Sequence, residues 1–269
     1  METNTRFLRA VGCWADGLGG LRDVVRQALV AAQLAEGLGG RGPLRVLDAG
    51  CGQGTQALRL ASAGHEVTGL DISEELLDRF ALELSARPSA VRARVRIVHG
   101  PAESAADLTD GLFDVVVCHG VLMYFDDVVP LLTALSRIAR EGAVMSLVVR
   151  NGLAPAMRDG LRGNWAAAGA AFDSARYTNR LGLSARTHTP SAIDVALAPL
   201  GWQRKRWFGV RVFSDHREGL APTGAQLDLL LAAEQEAARR DPYRSVAALL
   251  HLIYSKSQDD RTSATVVEA

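Results

Sequence analysis

The sequence predicts an α/β protein built on a seven-stranded, largely parallel sheet whose last strand runs antiparallel, with one insertion folded over it as a lid. Three observations carry this. Short apolar runs alternate with amphipathic helical stretches through the first 150 residues, as parallel strands joined by helices require. A glycine-rich turn, Gly50-Cys51-Gly52-Gln53-Gly54, stands between the first apolar run and the helix that follows it. The alternation lapses over residues 151–190, where Gly, Ala, Asn and Arg lack clean periodicity, and then resumes.

Leu21, Val24, Val25, Ala28, Leu29 and Ala32 recur at helical spacing and predict an amphipathic helix ahead of the first strand, lying over the ligand cleft. Residues 1–43 are thus expected to form a helical cover. Leu44 to Ala49 reads as a buried strand, and Thr55 to Ala63 as a helix stopped by Gly64-His65. Glu66 to Leu70 is a second strand closing on Asp71, and Ser73 is a candidate N-cap for a helix that buries Leu76, Leu77 and Phe80. Val95 to Val98 is a short third strand and Phe113 to Cys118 an unbroken apolar run suited to a central parallel strand. Leu131 to Ile138 gives a helix and Val144 to Val149 a fifth strand, so that residues 44–150 form the ligand-binding core. Right-handed crossovers then place the ligand at the carboxyl ends of the strands. Residues 151–190 are expected to be a lid rather than part of the sheet. Residues 191–257 complete the core with a helix over Ser191 to Leu200, a long strand from Trp202 to Phe213, a helix from Gly224 to Arg239 and a last strand from Leu250 to Ser255. Residues 258–269 are polar and are expected to be disordered.

With 269 residues and 48% hydrophobic content, the chain can bury a full core without metal or disulfide support. Its three cysteines, Cys13, Cys51 and Cys118, show neither CxxC nor Cys/His spacing, which predicts no metal site and a reducing cytoplasmic setting. No apolar run reaches membrane-spanning length, so neither export nor membrane insertion is expected. Formal charge is zero, with 30 basic and 30 acidic residues, which argues against holding nucleic acid by overall electrostatics. Distribution matters more: Arg150 to Arg217 holds eleven Lys or Arg against four Asp or Glu, and the remainder nineteen against twenty-six. Arginine predominates, as recognition of a planar anion would favour and as genome composition alone would also produce.

The glycine turn lets a ligand approach the main chain closely and opens onto the unpaired amides of a helix N-terminus. Asp71 ends the next strand about 20 residues on, as ribose recognition requires, and Glu103 follows the third strand. A dinucleotide would want GxGxxG with room for a pyrophosphate. This turn is shorter and is preceded by Asp48, so a phosphate-free cofactor with an ammonium for a carboxylate and a ribose diol for Asp71 fits better. The segment resembles motif I of class I, Rossmann-like methyltransferases, which implies S-adenosyl-L-methionine as cofactor.

A narrower resemblance rests on Cys118-His119-Gly120-Val121-Leu122-Met123-Tyr124, Asn151-Gly152, Gly163-Asn164-Trp165, Gly209-Val210-Arg211-Val212-Phe213-Ser214-Asp215 and Asp241-Pro242-Tyr243. In order and spacing these are similar to the tRNA 5-carboxymethoxyuridine methyltransferase family, over roughly Leu18 to Gln258. The resemblance implies that Arg22, Gly50, Cys51, Asp71, Ala102, Glu103 and His119 contact the cofactor, joined on the motif reading by Asp48, Gly52 and Ile72. It implies tRNA as partner, with a small-molecule acceptor as the alternative. Cys51, Glu103 and Tyr124 depart from the family's usual glycine, glutamine and tryptophan, and the last puts the acceptor's identity in question.

Arg211 falls within an apolar stretch, Val210 to Phe213, so its charge needs a partner: a structural carboxylate or the substrate. If the acceptor is a carboxylate, it is ionised at neutral pH, with a reference pKa of about 4, and needs only a positioning cation. Arg211 is the first candidate for that role, with Arg176 and Arg186 of the lid as alternates. An alcohol or phenol would need a base, for which His119, His188 and His216 are candidates. The Arg204-Lys205-Arg206 run suits a solvated face, or the backbone of a nucleic acid. A cofactor-binding module without turnover is the third reading. Oligomeric state is open.

Overall fold

A computed structural model describes residues 19–179 and 182–257. Cys13, the start of the helical cover and the tail from residue 258 lie outside the described residues. Helix α1 (Leu21–Leu38) buries Val25, Leu29 and Leu34 and leaves through Gly39, whose left-handed backbone returns its N–H to the carbonyls of Ala35 and Glu36. There follow β1 (Arg45–Ala49), α2 (Thr55–Ser62), β2 (Glu66–Asp71), α3 (Glu74–Ser85), the single turn α4 (Ser89–Arg92), β3 (Val95–His99), the single turn α5 (Ala105–Leu108), β4 (Phe113–His119), α6 (Val129–Arg137) and β5 (Ala139–Arg150). The Ser73 hydroxyl accepts from the Leu76 N–H and caps α3 as its position predicts.

The described residues between 151 and 190 hold more regular structure than their irregular composition suggests. They hold α7 (Met157–Leu161), α8 (Trp165–Ala171) and an antiparallel hairpin of β6 (Arg176–Thr178) and β7 (Ser184–Arg186), separate from the main sheet. These elements escape a periodicity search because they are short and bury almost nothing: α8 encloses only Ala168 and α7 no residue at all. The chain then forms α9 (Pro190–Leu197), β8 (Trp202–Val210), α10 (Ala225–Ala237) and β9 (Leu249–Lys256).

The main sheet has the order β3-β2-β1-β4-β5-β9-β8. Pairs among β1 to β5 are parallel, and β9 is antiparallel to both β5 and β8. Alternating side chains fill two cores: Leu47, Val116, Cys118, Met145 and Leu147 pack with α6 and α9, while Val46, Val115, Val117 and Val144 pack with α2 and α3. The chain goes from β1 to one side and later returns to the other at β4, which opens a crevice at the carboxyl ends of those two strands. Among the described residues no helix is long and apolar enough to cross a membrane.

The long strand expected from Trp202 to Phe213 stops at Val210. Arg211 adopts φ 63°, the only positive φ among the described non-glycine residues, and turns the chain out of the ladder. The next donors find another acceptor: Glu234 of α10, fully buried, receives the N–H of Val212 at 2.7 Å, that of Phe213 at 3.1 Å and the Ser214 hydroxyl at 2.6 Å. A buried carboxylate has replaced a neighbouring strand as the satisfier of this segment's backbone.

Candidate active site

The glycine turn after β1 is built from left-handed residues, Gly50 at φ 78°, Gly52 at φ 56° and Gly54 at φ 77°. A Cβ at Gly50 would come within 2.2 Å of the Val121 side chain, and one at Gly54 within 2.1 Å of the Phe80 ring. The turn is tied to β2 by the Gly50 and Cys51 N–H groups, which both donate to the Leu70 carbonyl. Asp71 completes the tie: its Oδ2 accepts from the Gly52 N–H at 2.7 Å and its Oδ1 from the Ser73 N–H at 2.9 Å. Burial raises the Asp71 carboxyl above its ordinary range, opposed by these backbone donors. Each oxygen keeps a second lone pair for a ligand donor.

The turn opens onto a cleft of about 260 Å³, formed at the carboxyl ends of the strands and roofed by α1 and the lid hairpin. Its two sides differ in charge. On the β2 and β3 side the wall carries Asp71 and Glu103 with Ile72, Pro101 and Ala102. On the β5 and β8 side it carries Arg150, Arg158 and Arg211 with Asp215, and α1 adds Arg22, Asp23 and Arg26. Met123, Tyr124 and Phe125, after β4, and Tyr177 and Asn179, from the hairpin, lie between.

At the basic end three arginines share one carboxylate. Arg211 Nη2 lies 3.2 Å from Asp215 Oδ1, Arg150 Nη1 3.3 Å from Oδ2, and Arg158 Nε 3.8 Å from the same oxygen. Among the described residues none of the three has another carboxylate within ion-pair distance, and the Nε of Arg158 and of Arg211 is buried without a hydrogen-bond partner. Burial pulls Arg211 down to about 10, resisted by Asp215, and lowers Arg158 for the same reason. The Asp215 carboxyl is itself buried, yet the surrounding arginines hold it below its ordinary range. The Arg150 guanidinium also stacks on Tyr177, 5.4 Å from the ring centre, linking β5 to the lid. A single negative charge cannot balance three partly buried positive ones, so this end of the cleft carries an excess of positive charge to which an anion could be added.

Of the residues expected from sequence, the structure brings Arg22, Gly50, Gly52, Asp71, Ile72, Ala102, Glu103, His119 and Arg211 to one cleft. Asp48 and Cys51 do not reach its wall. Cys51 turns its thiol toward Gly69, and Asp48 is enclosed beneath the turn with Oδ2 unpartnered. Burial, with Asp71 adding repulsion, pushes the Asp48 carboxyl up to about 7. Arg176 and Arg186 are also corrected: both hold Asp126 at the lid's outer edge, Arg186 donating to its carbonyl at 2.9 Å. Neither faces the cleft. His188 packs against the Leu122 carbonyl at 3.4 Å and His216 lies outside the lining, so neither is placed as a base. Arg204 and Arg206 are committed to Asp194 and Glu36 and do not line the cleft. Sequence reasoning missed Arg150, Arg158, Asp215 and Tyr177. Asp215, four residues after Arg211, offered a signal in its spacing; the other three come from β5, α7 and β6, which only the fold assembles.

Residues 47–147 match a methyltransferase domain family. The chain is 29% identical over 236 residues to the tRNA 5-carboxymethoxyuridine methyltransferase of Escherichia coli (strain K12), covering 87% of this chain and 89% of that protein. It is 38% identical over 111 residues to the ubiquinone biosynthesis O-methyltransferase of Pectobacterium atrosepticum, covering 41% of this chain and 43% of the relative. In fold it is similar to the magnesium protoporphyrin IX methyltransferase of Synechocystis PCC 6803, solved with S-adenosylhomocysteine bound, with a TM-score of 0.54 at 21% identity over 88% of this chain and 85% of that one. Sheet order, glycine turn, acidic strand end and family match agree, and the chain is a class I S-adenosylmethionine-dependent methyltransferase.

Proposed function

We propose that the chain methylates a carboxylate, and that its acceptor is 5-carboxymethoxyuridine in tRNA, acted on in the cytoplasm. The observation that carries this reading is the convergence of Arg150, Arg158 and Arg211 on the single carboxylate of Asp215. A planar carboxylate is the anion that guanidinium forks fit best. The relative that matches along nearly the whole chain carries that activity in its name, whereas the ubiquinone O-methyltransferase matches only about two fifths of it.

The residues at the other end of the cleft fit the cofactor. Asp71 has lone pairs for a ribose diol, Gly50 and Gly52 let the main chain lie against a ligand, and Arg22 is a cation for its carboxylate. Ile72, Ala102, Glu103 and His119 complete this half, and Asp48 and Cys51 support the turn from beneath. S-adenosylmethionine, when bound, supplies a methyl group on a positively charged sulfur.

What the protein must then do is align and exclude water. The acceptor carboxylate is already ionised at pH 7, its reference pKa being about 4, so no side chain has to remove a proton. Arg211 and Arg158 hold it with the guanidinium groups that line the cleft, and Arg150 and Tyr177 close the lid side. The domain roles follow: residues 44–150 and 191–257 carry the sheet, α1 covers the cofactor half, and the lid over residues 151–190 covers the acceptor.

The test uses the purified chain, bulk tRNA lacking the modification enzyme, and S-adenosylmethionine labelled in the methyl group. Label entering tRNA and released as methanol by mild alkali supports a carboxyl methyl ester. Label that resists alkali, or that enters only small metabolites, overturns the reading in favour of an ether or amine acceptor.

A further inference from the structure

Behind the cofactor half of the cleft, four side chains form an unbroken buried chain from α1 to the cleft wall. Gln33 Nε2 donates to the Gly209 carbonyl at 3.3 Å, and Gln33 Oε1 lies 2.8 Å from His251 Nδ1. His251 Nε2 lies 2.8 Å from Ser146 Oγ, which lies 2.8 Å from His119 Nε2. The sheet register produces this row. His119 of β4 and His251 of β9 both pair with Val148 of β5, and Ser146 sits one pleat earlier on the same face, between two rings whose centres are 5.4 Å apart. Gln33 is 3% exposed, and Ser146 and His251 not at all.

The protons in this chain have only one consistent arrangement. A carbonyl cannot donate, so Gly209 fixes which end of the Gln33 amide faces it and leaves Oε1 toward His251. His251 must therefore carry its proton on Nδ1 and present Nε2 as an acceptor. Ser146 has one proton, which goes to His251 Nε2, so its oxygen accepts from His119. His119 is then protonated on Nε2, and its Nδ1 is a bare acceptor with no protein partner among the described residues, on a ring that lines the cleft. Burial keeps both rings neutral, lowering His119 well below its ordinary value and taking His251 down to about 3.

We propose that Gln33, Ser146 and His251 act as positioning residues that lock the tautomer of His119, so that its Nδ1 accepts a hydrogen bond from the cofactor's ammonium group. This rests on the reading that His119 touches the cofactor. The ammonium is assigned because Asp71 accounts for the ribose hydroxyls, and because a neutral ring with a lone pair toward the ligand attracts a cation where an imidazolium would repel it. The residues making the chain come from α1, β4, β5 and β9, so the cofactor's grip on this atom also fixes α1 over the cleft.

The experiment is long-range ¹⁵N–¹H correlation on the histidine rings of the full chain, with and without S-adenosylhomocysteine, which keeps the ammonium, and methylthioadenosine, which lacks it. The expected result is His251 protonated on Nδ1, His119 on Nε2, and a His119 Nδ1 resonance that shifts with S-adenosylhomocysteine but not with methylthioadenosine. Ser146→Ala is expected to let His119 exchange between tautomers and to weaken S-adenosylhomocysteine about tenfold, as loss of one charge-assisted hydrogen bond does, with methylthioadenosine unaffected. The opposite tautomer on either ring, or an equal loss for both ligands, overturns the proposal. A wild-type chain that binds S-adenosylhomocysteine without moving His119 Nδ1 overturns it too while leaving the methyltransferase assignment intact.

Discussion

Arg211 and Asp215 meet at 3.2 Å across a turn that begins with Arg211 in a left-handed conformation. That backbone takes Arg211 out of β8, its guanidinium lines the wall of the cleft, and Asp215 holds it there. Asp215 also serves Arg150 and Arg158, so the pair is part of a net positive cluster rather than a neutral salt bridge, and on the proposed function it is one edge of the acceptor's anion site. Replacing Arg211 by Ala should raise the acceptor KM roughly 10- to 100-fold, the range for losing a hydrogen bond to a charged group. Calorimetric titration with S-adenosylhomocysteine should show little change. Equal losses for acceptor and cofactor would place Arg211 elsewhere in the mechanism.

Glu234 is the support of that turn. Truncation to Ala removes the acceptor of the partly buried Val212 and Phe213 N–H groups and of the fully buried Ser214 hydroxyl. The expected cost is about 3 kcal/mol of stability, read by urea denaturation, together with a raised acceptor KM. Glu234→Gln keeps one acceptor oxygen and should lose less on both counts. A Glu234→Ala enzyme with unchanged stability would contradict the assigned hydrogen bonds.

Gly54 has a left-handed backbone and the Phe80 ring 2.1 Å from where a Cβ would stand. Gly54→Ala should therefore cost roughly 2 kcal/mol or more, from backbone strain and displacement of the ring. Because the turn is joined to β2, cofactor affinity should fall with stability. Thermal melting with and without S-adenosylhomocysteine separates the two effects, and a variant that melts and binds like wild type would refute the geometry of the turn.

Asp48 gives a pH dependence of definite sign. Its carboxyl is pushed up to about 7 by burial, from an ordinary value near 3.8. The folded state thus holds a proton that the unfolded state releases, so this residue's contribution to stability is full at low pH and is lost as pH rises through about 7. Asp48→Asn should make the unliganded protein more stable at pH 8 and leave it nearly unchanged at pH 4. Melting curves at the two pH values check this; a greater gain at pH 4 would reverse the argument.

Much of the cofactor half is legible in the sequence because it is local. The Gly50 turn, Asp71 and the Ser73 cap lie within a few dozen residues and announce themselves through strand, glycine and acidic strand end. The acceptor half is harder to see. Arg150, Arg158 and Tyr177 come from β5, α7 and β6 and Asp215 from the loop after β8, and α7 and β6 are too short and too exposed to leave a periodic trace. The arginine surplus between Arg150 and Arg217 covers the stretch that supplies Arg150, Arg158 and Arg211 to the cleft, but it also brought in Arg176 and Arg186 as alternates, which the hairpin directs to Asp126. The apolar residues around Arg211 read as one strand because a buried carboxylate 23 residues later, Glu234, can satisfy a backbone as well as a neighbouring strand can, and periodicity does not distinguish the two.

The central claim, methylation of a carboxylate on tRNA at the arginine end of the cleft, is tested most directly by nucleoside mass spectrometry of tRNA from a strain lacking the gene, complemented by wild type or by Arg211→Ala. The account predicts that the methyl ester disappears and free 5-carboxymethoxyuridine accumulates in the deletion strain, that wild type restores the ester, and that Arg211→Ala restores little of it. A parent strain with neither nucleoside, or a deletion strain whose methyl ester persists unchanged, would contradict it.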